Sequence, residues 1–341
     1  MKKTVAFAFF LSCFCIASAC EQPEKKVRFF KPNHGWAIEV PFSGFRILDS
    51  DQYKEKNFKV TAVNESRGIY FDIYFEPGAR DHDSKKVRDF YEANLDRAGL
   101  SREKISRWET PSAAYLVYTA RKVWKEPEGD ELNGDMYLCK GSTWVDVRFT
   151  KPYPAEGDER TVTDLLRSVR VVGAFEPSAE DNVFMGNLFC YSGFGDNCLS
   201  CLGAAFESEK KTPSLSRELR IALCQNYGNA LRMKNDRGKA LEVLNYGLAH
   251  DPAYPMYFWI KARIFGDLGD EEGAVQMLQA AADNKKLLLP GEKFPDPRQD
   301  EAFKVLGMKS SFRMRVTKMF YPEEEGDKGG GESKEPPKTS K

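Results

Sequence analysis

The spacing of apolar residues along the chain changes once. From about residue 35 to residue 175 large apolar residues tend to alternate with polar ones. Beyond residue 178 they recur every three or four positions. Stretches at 36–40, 58–63, 69–75, 113–124, 136–139 and 144–149 are rich in β-branched and aromatic residues, the signature of strands. In 113–124, Tyr115, Val117, Thr119 and Arg121 share one face, and Lys140-Gly141-Ser142 marks a hairpin turn before 144–149. Two helices interrupt the strands. Asp83 or Ser84 caps the first, whose stripe is Val87, Phe90, Tyr91, Leu95 and Ala98, ended by Gly99; the second starts near Asp158 and carries Val162, Leu165, Leu166 and Val169. Residues 35–175 therefore predict an α+β fold, an antiparallel sheet with two helices.

Residues 178–321 predict an all-α domain of helical hairpins. One hairpin runs from Tyr227-Gly228-Asn229-Ala230-Leu231 through the turn Asn235-Asp236 to Lys239-Ala240-Leu241 and Leu244. The pattern recurs 34 residues on, from Lys261-Ala262 and Phe265 through Gly269-Asp270 to Gly273-Ala274-Val275 and Leu278, so that Ala240 falls on Ala274 and Leu244 on Leu278. A small residue where two helices cross, a tight polar turn, then Ala and a large apolar residue is how such a hairpin closes. With Asp251-Pro252 ending its first unit, this pattern resembles the tetratricopeptide repeat. That resemblance implies a groove lined by the first helix of each hairpin, and a function in binding rather than chemistry. Residues 182–206 read as an irregular first hairpin and 300–320 as a terminal cap, which supplies the roughly three units that stacked hairpins need. Pro290, Pro295 and Pro297 make 285–298 a loop, and residues 322–341 lack large apolar residues and read as a disordered tail.

The α+β segment, with Gly44-Phe45 early and Phe75-Glu76-Pro77 leading to its first helix, resembles the PsbP/DcrB-like fold in element order and length. That group implies accessory or binding roles and transfers no active-site residue. Residues 1–19 begin with Lys2 and Lys3, continue through an apolar run from Val5 to Ile16, and close on Ala17-Ser18-Ala19. The run is shorter than the roughly 20 residues a membrane helix needs, so it reads as an export signal. Cys20 then resembles the lipidated Cys of a bacterial lipobox, although Ala17 stands where that pattern prefers Leu. Simple secretion, with Cys20 free or in a disulfide, is the alternative. Residues 20–34 form the linker. Past residue 19 the chain carries 49 Lys+Arg against 51 Asp+Glu, scattered rather than striped, which argues against a nucleic-acid partner.

Catalytic signatures are lacking. The histidines, His34, His82 and His250, stand beside turn formers and far apart in sequence, and the chain has no phosphate loop, nucleophile elbow or zinc-protease motif. No cofactor, metal or catalytic residue is expected. Cys190, Cys198, Cys201 and Cys224 lie within 35 residues and include a C-x-x-C. In an exported protein they suggest a structural disulfide. Buried thiols are the alternative, because Cys198, Cys201, Leu202 and Ala205 have the spacing of a buried helix face. The sequence thus predicts a non-catalytic lipoprotein of the bacterial cell envelope, anchored at Cys20, that binds a protein or peptide through its repeats. Candidate contacts are Gln225, Asn229 and Arg232 on one groove helix and Lys261 and Arg263 on the next. The rival is a periplasmic thiol-disulfide protein using Cys198 and Cys201, and a ligand cleft lined by Trp36, Tyr74 and Trp144 is a third reading.

Overall fold

A computed structural model describes residues 25–321, apart from 54–56, 80–81, 98–99 and 123–128. The leader, Cys20, the tail and the Ala98-Gly99 helix end lie outside the described residues. Antiparallel sheets with flanking helices fill the N-terminal half and helices the C-terminal half, an α+β chain. It divides into two compact units, one ending at Leu215 and the other starting at Ser216. Among the described residues no helix is long and apolar enough to cross a membrane.

In the first unit the large sheet has seven antiparallel strands: β3 (Arg46–Tyr53), β4 (Asn57–Asn64), β5 (Ile69–Pro77), β9 (Thr143–Pro152), β8 (Gly129–Lys140), β7 (Ala114–Lys122) and β6 (Arg102–Glu109), in that order. A smaller sheet orders β1 (Lys26–Phe29), β2 (Trp36–Pro41) and β10 (Arg170–Gly173). Strand alternation gives the large sheet two faces. On one, Phe71, Ile73 and Phe75 pair with Phe149, Val147 and Val145 across the β5–β9 ladder. Phe29 and Phe42 of the small sheet's side pack on Phe71, and Trp36 on Phe75, at ring separations of 5.6, 5.9 and 6.2 Å. Helix α2 (Asp158–Ser168) settles on the same layer over Gly134 of β8. A Cβ there would stand 2.5 Å from Val162 and 2.8 Å from Leu166, so only glycine lets the helix approach. The other face carries α1 (Ser84–Arg97), whose Val87, Tyr91 and Leu95 cover Leu116, Tyr118, Tyr137 and Trp144. Both faces of β7 are therefore buried over Ala114 to Tyr118. Phe90, expected in the α1 stripe, is 43% exposed although its ring meets Trp144 at 5.2 Å, and the opposite flank of the stripe buries Arg88 and Glu92.

The change of period at residue 175 is not a break in packing. Helices α3 (Ala179–Tyr191) and α4 (Gly195–Lys211) form the first hairpin and belong to the sheet unit. Phe184 packs on Phe29 at 5.8 Å, Phe189 on Phe58 at 4.7 Å, and the Ser192 hydroxyl donates to the Ser50 hydroxyl at 2.9 Å.

The second unit holds the hairpins α5–α6 (Arg217–Met233, Arg237–His250) and α7–α8 (Pro255–Leu268, Glu271–Asp283), then short 3-10 turns and α9 (Ser310–Phe320). All three hairpins turn alike. Gly193, Asn235 and Gly269 sit in the left-handed region at φ 80°, 65° and 72°. The next N–H reaches back to the carbonyl of Phe189, Leu231 or Phe265, the paired-bond helix ending that a left-handed residue allows. Asp236 and Asp270 then cap the following helix through the N–H groups of Lys239 and Gly273. The crossing is shared as well. Gly186 meets Leu202 and Gly228 meets Leu244, each sixteen residues on, while Ala262 and Leu278 are fully buried at the matching positions. Four residues before each Leu stand Cys198, Ala240 and Ala274, all buried.

Candidate functional site: the first helices of the repeats

The face of α5 that carries Gln225, Asn229 and Arg232 seats α7. The Asn229 side-chain oxygen accepts from Arg263 Nη1 at 3.0 Å and Arg232 Nε at 3.3 Å, and Arg232 Nη1 reaches Asp267 at 2.7 Å. Gln225 accepts from the Tyr254 hydroxyl at 3.4 Å. Arg217 and Asp251 add a pair at 2.5 Å whose separation is again 34 residues, as is that of Asn229 and Arg263. Lys261 points elsewhere and donates to Asn245 of α6 at 3.1 Å.

One repeat further on, the matching face of α7 carries a strap, residues 289–303, where another first helix would lie. The strap runs alongside α7 from start to end. Glu292 accepts from the Tyr254 hydroxyl at 2.5 Å, Phe294 stacks on Trp259 at 5.2 Å, and Asp300 pairs with Arg263 Nε at 3.1 Å. Finally, Ala302 and Phe303 press on Gly266, where a Cβ would stand 2.5 Å from the Ala302 carbonyl oxygen. Pro290, Pro295 and Pro297 keep this stretch from becoming a helix. Burial pulls the Arg263 pKa down, and Asp300 opposes the shift by favouring the charged form. All five candidate contacts therefore join neighbouring repeat elements, Lys261 to the second helix of the preceding hairpin and the other four along the face shared by α5, α7 and the strap. The signal that could have found their partners was the period itself, which sets Asp251 opposite Arg217 and Arg263 opposite Asn229.

The four clustered cysteines separate. Cys190, near the end of α3, is bonded to Cys198 in the first turn of α4, which staples that hairpin across its turn. Cys201 and Cys224 are buried and take no part in the disulfide. Cys198 is thus joined to Cys190 and not to Cys201, and burial pushes the Cys201 thiol up to about 12. Thiol-disulfide exchange needs an accessible thiol that ionises readily, the opposite of Cys201. Cys20 lies outside the described residues.

Trp36, Tyr74 and Trp144 do not line one cleft: Trp36 packs on Phe75, on the side of β5 away from Tyr74 and Trp144. His34 and His82 lie against Trp36 and Trp144 at 5.6 and 5.2 Å, and His250 Nδ1 sits 3.0 Å from the Tyr246 carbonyl. Among the described residues no group of three or more His, Cys, Asp and Glu could hold a metal ion. Sequence reasoning missed a cluster on the α1 side of the sheet, where Asp135, Asp146 and Arg148 project from β8 and β9. Its only signal was the alternation of Asp146 and Arg148 with Val145, Val147 and Phe149.

No family model and no curated protein matches the chain. Among solved structures, one from Bacteroides thetaiotaomicron is similar at 13% identity and a TM-score of 0.29, over 62% of this chain and 79% of that one. LpqN of Mycobacterium tuberculosis, involved in cell envelope biogenesis, is similar at 9% identity and a TM-score of 0.27, over 43% of this chain and 91% of its own. Likeness at this level fixes neither the fold nor the function of this chain.

Proposed function

We propose that the chain is a non-catalytic lipoprotein of the bacterial cell envelope, held to a membrane through Cys20, which binds a protein or peptide through tetratricopeptide-like hairpins. The observation that carries this reading is the hairpin that recurs with the same left-handed turn and the same small-residue crossing. Stacked hairpins present extended surfaces rather than reaction centres. The Cys190–Cys198 bond supports an oxidising compartment, and hence export. A partner that reads Gln225, Asn229, Arg232 or Arg263 meets side chains already held by Tyr254, Asp267 and Asp300. Lys261, bonded only at its tip, is the freer contact.

The test uses two baits in envelope extract, the full chain and a chain ending at Leu215. A partner retained by the full chain alone must then bind the purified protein, and binding must weaken with Lys261→Glu. Equal retention by both baits sinks the repeat reading. Cys20→Ser should move the protein from the membrane to the soluble fraction, and unchanged membrane partition with no lipid attached removes the anchor.

A further inference from the structure

Asp135 on β8 stands directly across from Arg148 on β9, and Asp146 from Tyr137 two pairs along. Arg148 Nε donates to Asp135 Oδ1 at 2.5 Å, and its Nη2 lies 3.5 Å from Asp146 Oδ2. Each carboxylate thus spends one oxygen on the same guanidinium. The other two, Asp135 Oδ2 and Asp146 Oδ1, are buried without a hydrogen-bond partner, in residues 0% and 3% exposed.

The surrounding charges are taken. Asp72, opposite Arg148 on β5, receives Lys59 Nζ at 3.2 Å and the Thr61 hydroxyl at 2.6 Å. Glu76 accepts from the Tyr91 hydroxyl of α1 at 2.8 Å and is felt by Lys31. Tyr74 lies under Lys59, and Tyr118 on β7 lies under Arg102, whose charge goes to Glu92 and Asp96. Among the described residues Arg148 is the cation that pairs with the two buried acids, and the buried Tyr137 hydroxyl also faces Asp135. With both ionised, one negative charge would stand uncompensated in a low-dielectric interior, and such a group takes up a proton instead.

We propose that Asp135 and Asp146 hold one proton between them at neutral pH, and that this proton latches α1 onto the sheet. Burial pushes both acids upward against the pull of Arg148, Asp146 well above the usual aspartate range. The proton belongs to the pair rather than to either residue. The latch follows from position: Tyr91 of α1 stacks flat on Tyr137 at 5.2 Å, directly across the ladder from Asp146. An acid raised in the folded state binds more protons folded than unfolded. Its contribution therefore falls as pH rises above the ordinary aspartate value of about 3.9.

Asp146→Asn in the full chain removes the titration and keeps the shape. Its melting temperature should be no higher than the parent's at low pH and should overtake it by several degrees at mildly alkaline pH. The amides of α1 should then exchange more slowly in the variant than in the parent at the same pH. Carboxyl carbon NMR of the parent should show one aspartate still protonated at neutral pH, and its signal should vanish in the variant. A difference in melting temperature that does not change with pH, or full ionisation of every aspartate carboxyl in the acid range, overturns the proposal. The parent spectrum alone decides it if the variant does not fold.

Discussion

The two units of this molecule handle buried polarity in opposite ways. In the repeat unit polar contacts between neighbouring repeats follow the period, so Arg217 meets Asp251 and Asn229 meets Arg263 at the same spacing. In the sheet unit the buried charges are unique to their place: two carboxylates share Arg148 under α1. Glu92, on the outer flank of that helix, takes Arg102 at 2.9 Å and Arg107 at 2.6 Å. A repeated unit solves its interface once and copies the solution. A single-copy fold satisfies each buried polar group separately, and there imbalances survive.

The severest way to break this contrast is to cut the chain. A fragment of residues 25–215 should keep its sheet signal in circular dichroism and melt cooperatively, because α3 and α4 come with it. Ending it at residue 177 should leave Phe29, Phe42 and Phe58 without Phe184, Phe189 and Phe194, and that fragment should aggregate or lose its transition. If the shorter fragment melts as well as the longer, the first hairpin is an independent part of the array. Smaller, but aimed at the copied interface, is Ala240→Leu or Ala274→Leu. Both alanines are fully buried, and overpacking costs typically about 1–3 kcal/mol, so each should lower the melting temperature of the chain by several degrees. Gln279→Ala, exposed and bonded only to Asp283 on its own helix, should stay within about 0.5 kcal/mol. A silent Leu variant beside a damaging Gln279→Ala would show that the register is misread.

A smaller effect than that of the Leu variants, and one that depends on pH, is expected at Glu92. Burial pushes its carboxyl up, but the bonds from Arg107 and Arg102 outweigh burial and hold it below the ordinary glutamate range. Such a group stabilises the fold above its unfolded pKa of about 4.3 and loses that contribution as pH falls through the lower folded value. Glu92→Gln should therefore cost a few degrees at neutral pH and almost nothing in strong acid. An equal loss at both would assign the effect to packing.

Much of the fold was legible because periodicity reports burial. Ala240, Leu244, Ala274 and Leu278 are all fully buried, and β2, β4, β5, β7, β8 and β9 overlap the strands expected. The strands that escaped notice lack that signal. Arg46–Tyr53 has no apolar alternation, Arg102–Glu109 is a charged edge, and β1 and β10 have four residues each. A change of period marks a change of element type, while the limit of a compact unit depends on which aromatic rings meet, such as Phe189 and Phe58. The same holds for the site. Gln225, Asn229 and Arg232 read correctly as polar positions on a first helix, but only three-dimensional stacking shows that α7 sits on them.

The strap beside α7 works as a terminator. Its three prolines keep it from presenting the face that α5 offers α7, so the row of first helices ends at the strap. A further hairpin could be spliced in only after Asp283, with its own glycine copied from Gly266 to receive the displaced end. The length of the array is thus written into one short proline-bearing segment, and moving that segment would set how many hairpins the chain displays.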